Sequence, residues 1–421
     1  MRGLVLVTLS SCVSYALPPL PDAGAAPAAV TITTLAPATS SAPGGPVSAI
    51  WAAYALDDGP WQPLAATATG TYGLPKAAAR WAVAFACDDS ELQTSTIAVY
   101  RRPASLTTLE VTLPEPCTLA RPPSFELSGT LANVPQTTSW LEFGYALESR
   151  GASLPTNGTS TPYDLVNVVE GTWDFAFGVR DDSGKPMTRA AIVRGKAVSA
   201  DTTFDVDLGT GFAPGQHALV VHGVTADENV TPTILYATGG PSGLAVGPQD
   251  VPVTTPDVTV AYSTIPDALQ KPDDRYRLEV IAEVEKVDGA TPPRVVEGSF
   301  HVASDVEVTM PDPIAAPTAT SDGAHVTSSV PKRAGAASYV VDVAAEVTRR
   351  QVRRFTISID AAIATDTETT PDLTSVDGFR PEWSLPSAPR TVTVSVVEPP
   401  VPLGDGTAIA TASAQTVLPS P

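Results

Sequence analysis

The chain has 421 residues, of which 43% are hydrophobic and 17% are charged, and it contains 42 Pro. This hydrophobic content is sufficient for packed cores, and many Pro with few aromatic residues are typical of short strands and turns rather than helices. The formal net charge of −20 repels phosphate groups, which excludes nucleic acid and acidic bilayer surfaces as favoured partners.

The N-terminus has the pattern of an export signal. Met1-Arg2-Gly3 supplies one positive charge, and the apolar run from Leu4 to Leu9 is too short to span a bilayer. The next segment, Leu9-Ser10-Ser11-Cys12, resembles the lipobox of bacterial lipoproteins. This resemblance implies a signal peptide over residues 1–11 and a lipidated Cys12, whose acyl chains would anchor the protein with about 0.8 kcal/mol per buried methylene.

Other interpretations of the N-terminus stay open. Cleavage after Ser14-Tyr15-Ala16 would give a secreted protein without a lipid, and the start could also remain unprocessed. Val13 is not the Asp that marks inner-membrane retention in enteric lipoproteins, so the resemblance favours the outer membrane or cell surface. Residues 12–29, rich in Pro and Ala, are predicted to form an extended tether.

The other two cysteines are Cys87 and Cys117. In the oxidising compartment of an exported protein, an even pair predicts a disulfide. The alternative, a reactive thiol or a metal-binding pair, lacks a third or fourth ligand nearby. We therefore expect a disulfide that closes a loop of about 30 residues and stabilises the fold by roughly 3 to 4 kcal/mol.

An internal repeat predicts the number of domains. Tyr54-Ala55-Leu56 recurs as Tyr145-Ala146-Leu147 at an offset of 91, and the segment 107–113 recurs as 202–208 at an offset of 95. The offset grows slowly, as expected when insertions fall in loops. A weaker third copy contains the related segment 306–311, and a fourth copy is recognisable only by the order of its strands.

Apolar and polar residues alternate within the copies, as they do in strands buried on one face. Seven runs in copy one have this pattern: Val30 to Leu35, Ile50 to Leu56, Trp61 to Ala66, Gly70 to Leu74, Arg80 to Cys87, Thr96 to Arg101 and Thr107 to Leu113. Five runs are predicted in copy four: His325 to Val330, Ser338 to Ala344, Phe355 to Ile359, Arg390 to Val397 and Gly406 to Ala412. Seven short strands in about 90 residues are typical of an immunoglobulin-like sandwich.

The runs Arg80 to Phe85, Thr172 to Phe177 and Arg275 to Val280 also resemble the sixth strand of fibronectin type III domains, and copy four departs from it with Thr391 in the aromatic position. The prediction is an all-β chain of about four tandem Ig-like, fibronectin type III-like β-sandwiches, with boundaries at 30–116, 117–210, 211–313 and 314–421.

Catalytic signatures are missing from the sequence. None of the four His has a metal-ligand spacing, and there is no Gly-x-Ser-x-Gly elbow or phosphate-binding loop. These observations predict a non-enzymatic protein without a cofactor. Paired carboxylates that meet only in three dimensions are the alternative, which would give a carbohydrate-active or other extracellular hydrolase, or its accessory subunit, with its site at a domain junction.

Paired Asp residues in turns are weak candidates for Ca²⁺ ligands, because Ca²⁺ prefers clustered oxygen atoms. Asp is also a favourable turn residue, and no Asp-x-Asp-x-Asp-Gly spacing is present. The candidates are Asp57, Asp58, Asp88, Asp89, Asp181 and Asp182.

Two further features suggest binding. A basic cluster in copy four is a candidate site for the anionic groups of an envelope polysaccharide. The alternative is a solvated charged face. The cluster comprises Lys332, Arg333, Arg349, Arg350, Arg353 and Arg354. Trp61 could stack on a sugar ring or pack in a core or interface. The sequence thus favours a non-catalytic envelope lipoprotein that acts as a scaffold, spacer or adhesion module, with an envelope polysaccharide or protein as its partner.

Overall fold

The protein is all-β. A computed structural model describes residues 30–37, 45–89, 94–114, 117, 123–136, 138, 140–145, 148–153, 159–181, 185–239, 242–247, 257–284, 292–348 and 351–419. Within these ranges the helical elements are the 3₁₀ turns Asp267–Leu269 and Pro381–Trp383. No helix in the described ranges has the length and apolar content needed to cross a bilayer.

The strands form four β-sandwiches. Sandwich 1 contains β1 Val30–Ala36, β2 Gly45–Pro46, β3 Trp51–Leu56, β4 Gln62–Pro63, β5 Ala66–Ala68, β6 Thr71–Leu74, β7 Arg80–Asp89, β8 Thr94–Pro103 and β9 Thr108–Thr112. Sandwich 2 contains β10 Ser124–Ala132, β11 Trp140–Tyr145, β12 Glu148–Ser153, β13 Ser160–Val169, β14 Gly171–Arg180, β15 Met187–Val198, β16 Thr202–Thr203 and β17 Val206–Asp207.

The C-terminal half contains the other two sandwiches. Sandwich 3 contains β18 Gly215–His222, β19 Asn229–Thr238, β20 Ser242–Ala245, β21 Val258–Thr264, β22 Arg275–Glu283, β23 Arg294–Phe300 and β24 Val306–Thr309. Sandwich 4 contains β25 Ala319–Ser321, β26 Val326–Ser329, β27 Ser338–Thr348, β28 Gln351–Asp360, β29 Thr367–Thr369, β30 Arg390–Val397, β31 Val401–Leu403 and β32 Gly406–Leu418.

The repeat seen in the sequence is a repeat of topology. In sandwich 1 the first strand pairs antiparallel with β6 and parallel with the last strand, β9. Sandwich 2 repeats this arrangement around β10, and sandwich 3 repeats it around β18. The recurring segments 107–113, 202–208 and 306–311 therefore contain the strands that close each sandwich. Sandwich 4 differs, because its first strand, β25, pairs antiparallel with the next strand in the chain, β26.

One predicted strand of copy one is wrong. The run from Trp61 to Ala66 was expected to be a single strand, but β4 pairs with β3 in one sheet and β5 pairs with β6 in the other. Pro63 explains the break, since it has no N–H to continue a hydrogen-bonded ladder and the chain crosses between sheets after it. The alternation in β7 is confirmed, because Trp81, Val83 and Phe85 lie together in the core of sandwich 1.

Sandwiches 3, 4 and 1 share one continuous sheet. Within the described residues it has thirteen strands, in the order β20-β19-β22-β23-β32-β30-β27-β28-β8-β7-β3-β4 with β31 beside β32. Sandwich 4 joins sandwich 3 through six antiparallel residue pairs between β23 and β32. It joins sandwich 1 through seven parallel pairs between β28 and β8. The last sandwich in the chain is thus inserted between the third and the first.

This insertion covers the outer face of the sheet in sandwich 1. Ile97 and Val99 of β8 lie in the same apolar cluster as Phe355 and Ile357 of β28, away from the core of sandwich 1 itself. Both faces of the β7 and β8 strands are therefore buried, one inside sandwich 1 and the other against sandwich 4.

Sandwich 2 has two sheets of its own, neither of which joins the thirteen-stranded sheet, and it packs on sandwich 3. The buried Arg180 side chain donates hydrogen bonds to the carbonyl oxygens of Gly247 (3.0 Å) and Ala245 (2.8 Å) in sandwich 3. Arg194 of sandwich 2 forms an ion pair with the buried Asp274 of sandwich 3 (2.7 Å), which also accepts a hydrogen bond from the Tyr236 hydroxyl (2.5 Å). These contacts fix the second sandwich to the third.

The predicted disulfide is confirmed. Cys87 in β7 is bonded to Cys117, with their Cα atoms 5.0 Å apart and both side chains buried. Cys117 follows β9, the closing strand of sandwich 1. The bond therefore attaches the chain that leaves sandwich 1 to the strand that also contacts sandwich 4.

Candidate functional site at the junction of sandwiches 1 and 4

The junction of sandwiches 1 and 4 contains a cluster of three aromatic rings. The ring centroid of Trp51 in β3 lies 5.4 Å from that of Phe379 and 5.8 Å from that of Trp383, and these two rings are 5.5 Å apart. The Trp51 indole N–H donates to the carbonyl oxygen of Asp377 (3.0 Å). Offset and edge contacts of this kind add about 0.5–1.5 kcal/mol per pair beyond the burial of the rings.

A carboxylate fixes the aromatic cluster. Both oxygens of Asp88 accept from the Trp383 indole N–H, at 2.8 and 2.9 Å, and the Arg380 guanidinium lies 3.3 Å from one of them. The same guanidinium stacks over the Trp383 ring at 5.1 Å. Asp88, a calcium candidate from the sequence, is therefore engaged in holding sandwich 4 on sandwich 1.

Two successive arginines of β8 reach across the seam, which is the parallel pairing of β8 in sandwich 1 with β28 in sandwich 4. Arg102 is buried and donates to the backbone oxygen (2.9 Å) and the hydroxyl (3.0 Å) of Ser358 in β28. Arg101 forms an ion pair with Glu368 of sandwich 4 (2.8 Å). Burial raises the pKa of the Glu368 carboxyl, and the charge of Arg101 opposes that increase.

A half-open cleft of about 270 Å³ lies where these two sandwiches meet. Its walls are the turn after β3 and the start of β7 on one side, and the segment that includes Thr369 on the other. The side chains that give it chemical character are Asp58, Trp61, Arg80 and Arg101, all from sandwich 1. Binding sites commonly form at such domain junctions.

The turn after β3 has an unusual backbone. Asp57 and Asp58 both adopt the left-handed conformation, with φ of 50° and 61°, and the Gly59 N–H donates to the Leu56 carbonyl oxygen at 2.8 Å. This is the geometry of a type I′ hairpin turn, in which Asn or Gly is normally preferred. Asp is tolerated there, but two consecutive non-Gly residues at positive φ need support from neighbouring groups.

That support comes from the Asp57 carboxylate. It accepts hydrogen bonds from the backbone N–H groups of Arg80 (3.0 Å), Ala78 (2.9 Å) and Ala79 (2.7 Å). These bonds, with that of Arg80 the largest contribution, lower the pKa of Asp57 below its usual value. Asp58 forms an ion pair with the Arg80 side chain. The turn is thereby tied to the start of β7.

The acidic groups at the cleft are all bonded to protein partners. Asp57 stays ionised because its pKa is lowered, so it is unsuited to donate a proton, and Asp58 and Glu368 each face an arginine. Each of these carboxylates is therefore held in place by its protein partners.

The other calcium candidates are dispersed. Asp181 follows β14 in sandwich 2, while the side chain of Asp89 and all of Asp182 lie outside the described residues. No group of three or more His, Cys, Asp or Glu in the described part of the chain is placed to hold a metal ion. Cys12, the predicted lipidation site, also lies outside the described residues.

The described members of the candidate basic cluster lie in two parts of sandwich 4. One part precedes β27 and contains Lys332 and Arg333. Lys332 donates to the Ala364 carbonyl oxygen. Arg333 forms ion pairs with Asp312 and Glu398. Arg353 and Arg354 lie in β28, opposite Ala345 and Ala344, with Arg354 3.4 Å from Asp342. Arg349 and Arg350 lie outside the described residues.

Sequence reasoning missed Arg101, Arg102 and Glu368. One available signal was the run from Trp81 to Cys87, which is apolar at every position and not only at alternate ones. A strand with this composition is buried on both faces, and so requires a neighbour outside its own sandwich.

No family model matches the chain, and no curated protein matches it. Among solved structures, the FN1–FN3 domains of chicken CNTN1 align at 12% identity over 66% of this chain and 91% of that chain, with a TM-score of 0.16. A marsupial T cell receptor aligns at 8% identity over 68% of this chain and 98% of that one, with a TM-score of 0.12. TM-scores this low do not establish a shared fold, so the fold assignment is based on the strands and sheets described above.

Proposed function

We propose that the protein is a non-catalytic, exported surface protein whose four sandwiches form one body that binds a ligand in the cleft between sandwiches 1 and 4. The observation that carries the proposal is the continuous sheet through sandwiches 3, 4 and 1, with a cleft at one of its seams. A shared sheet holds the two walls of the cleft in register. Preorganised walls reduce the entropy lost on binding.

Export and anchoring are part of the proposal. The segment Leu9-Ser10-Ser11-Cys12 supports a lipid anchor at Cys12 in the outer membrane, and the disulfide between Cys87 and Cys117 supports an oxidising compartment. The tether at residues 12–29 would extend at most ~60 Å from the bilayer. A full-length Cys12→Ser variant should lose labelling by radioactive palmitate and leave the membrane fraction. Retention of both would contradict the anchor.

The alternative function is hydrolysis at a domain junction. The cleft lies at such a junction and has acidic residues around it, but Asp57, Asp58 and Glu368 are engaged in the bonds described above. We therefore favour binding without turnover.

One experiment separates the two functions. The full-length protein, solubilised in detergent, is incubated with polysaccharide prepared from bacterial envelopes, and both bound carbohydrate and new reducing ends are measured. We expect bound carbohydrate without an increase in reducing ends. An increase that disappears in Asp58→Asn would contradict the proposal and support the hydrolase. A matched control is Asp227→Asn, which changes an exposed carboxylate in sandwich 3.

A further inference from the structure

Trp61 differs from the other tryptophans of the chain in its hydrogen bonding. The chain has six Trp, and five of them donate the indole N–H to a protein acceptor: Trp51, Trp81, Trp140, Trp173 and Trp383. Trp61 has no such acceptor among the described residues. Its ring is partly buried against the apolar cluster of sandwich 4, and it lines the cleft. The indole therefore offers both a ring face and a free donor to a ligand.

The segment beside Trp61 is held in place. The hydroxyl of Tyr54 donates to Oε1 of Gln62 (2.9 Å), the residue that follows Trp61. On the other side, the turn at Asp57 and Asp58 is tied to the start of β7 by the carboxylate bonds described above. A ring that is fixed in this way loses little conformational freedom when a ligand stacks on it.

The charges of the cleft indicate the class of ligand. Its two cations are already paired, Arg80 with Asp58 and Arg101 with Glu368. Because the charges within each pair cancel, the pairs give an ionic ligand little net attraction. A neutral ligand rich in hydroxyl groups needs only hydrogen bonds, and each pair can supply them, because a guanidinium has five N–H donors and a carboxylate about four acceptor positions. Nε of Arg101 is buried without an acceptor.

The size of the cleft limits what it can enclose. A volume of about 270 Å³ is near the lower end of the range for small-molecule sites, roughly 300–1,000 Å³. Because the cleft is half-open, a longer chain could continue into solvent on either side of the enclosed part. The dimensions therefore suit one sugar ring of a polymer rather than a long segment.

We propose that the cleft between sandwiches 1 and 4 binds a neutral polysaccharide, one ring of which stacks on Trp61, while hydroxyl groups of the same chain hydrogen-bond to the indole N–H and to the Asp58–Arg80 pair. This inference rests on the proposed function, because it names the ligand class of the same cleft. It assigns Trp61 as the residue on which affinity depends most.

The test is affinity electrophoresis of the full-length protein in native gels that contain a single polysaccharide. Dextran, galactomannan and a soluble β-1,3-glucan are the neutral probes, and alginate and polygalacturonate are the acidic ones. We expect at least one neutral probe to retard the protein, Trp61→Leu to weaken that retardation at least tenfold, and Trp61→Phe to have an intermediate effect because it keeps a ring without the N–H. Trp140→Leu, which changes a partly buried indole in sandwich 2, is the matched control and should bind as the wild type does.

The outcomes distinguish this inference from the function on which it rests. If only an acidic probe retards the protein, and Trp61→Leu abolishes this retardation, the neutral ligand class is wrong and the cleft remains a binding site. If a neutral probe binds Trp61→Leu as well as the wild type, the site is wrong. If a neutral probe binds and is cleaved, the ligand class stands and the non-catalytic function does not. Retardation by none of the probes contradicts both. Thermal unfolding of each variant shows whether it is folded. If Trp61→Leu is not folded, the retardation of Trp61→Phe tests the role of Trp61.

Discussion

Arg102 and Ser358 connect two sandwiches that are far apart in sequence. The guanidinium of Arg102 in β8 donates to the carbonyl oxygen of Ser358 in β28 at 2.9 Å and to its hydroxyl at 3.0 Å. Both residues are buried. The contact satisfies backbone and side-chain groups inside the parallel seam, where water would otherwise have to reach them.

Replacement of Arg102 by Met should weaken this seam. The change leaves the buried Ser358 oxygen atoms without their donor, and hydrogen bonds to charged groups contribute about 1.5–3 kcal/mol. We expect a loss of about 2–3 kcal/mol in the free energy of unfolding, measured by urea titration with tryptophan fluorescence, since four of the six Trp lie in sandwiches 1 and 4. Arg277→Met, at an exposed position of β22, should change it by less than about 0.5 kcal/mol. Equal losses in both variants would show that the seam contact has no special role.

Replacement of Asp88 by Ala should loosen sandwich 4. The buried Trp383 would lose the acceptor of its indole N–H, and an unsatisfied buried donor costs about 1–3 kcal/mol. We expect faster cleavage by a protease in the segment around Trp383, followed by mass spectrometry of the fragments. Asp312→Ala, at an exposed carboxylate near Arg333, is the control. Unchanged cleavage in the Asp88 variant would contradict the assigned role.

The pair Glu279 and Glu297 should make the protein more stable in mild acid. The two residues are directly opposite in β22 and β23, and burial, with the charge of Glu279 adding to it, raises the pKa of Glu297 to about 7. A carboxyl whose pKa is raised in the folded state contributes stability that is fully present below its unfolded pKa and is lost as the pH rises through 7.

The measurement is the urea midpoint at pH 5 and at pH 8. We expect the wild type to lose on the order of 2 kcal/mol over this interval from Glu297, and Glu297→Gln to lose much less. Glu126→Gln, which changes an exposed residue of sandwich 2, should keep the wild-type slope. If Glu297→Gln also keeps it, another group causes the dependence.

Loss of the disulfide should destabilise sandwich 1. For a closed loop of 30 residues the chain-entropy model gives about 3 to 4 kcal/mol. Unfolding of the Cys87→Ala/Cys117→Ala double variant, compared with the wild type, measures this loss. Reductant should lower the midpoint of the wild type and leave that of the double variant unchanged. A response of the double variant to reductant would contradict the disulfide as the source.

The strands could largely be predicted from the sequence, whereas the joins between sandwiches could not. Alternation of apolar residues is a local property, and it placed β30 at its observed bounds, Arg390–Val397. The pairing of β8 with β28 depends on two edges that meet only after each sandwich has folded, and neither strand carries a mark of its partner. The same reason explains the site: the sequence marks Trp61 as an aromatic residue after a turn, but Thr369 and Thr370, which complete the cleft, come from the far end of the chain.

The parallel seam also determines when the molecule can be completed. Ser95 pairs with Arg353, a separation of 258 residues (353 − 95), so the edge of β8 is made long before its partner emerges from the ribosome or the export channel. Likewise, β23 is synthesised well before β32, the strand that pairs with its edge. Until the last sandwich arrives, the nascent chain exposes two unpaired strand edges, which are templates for aggregation. A truncation that removes sandwich 4 would make that transient state permanent.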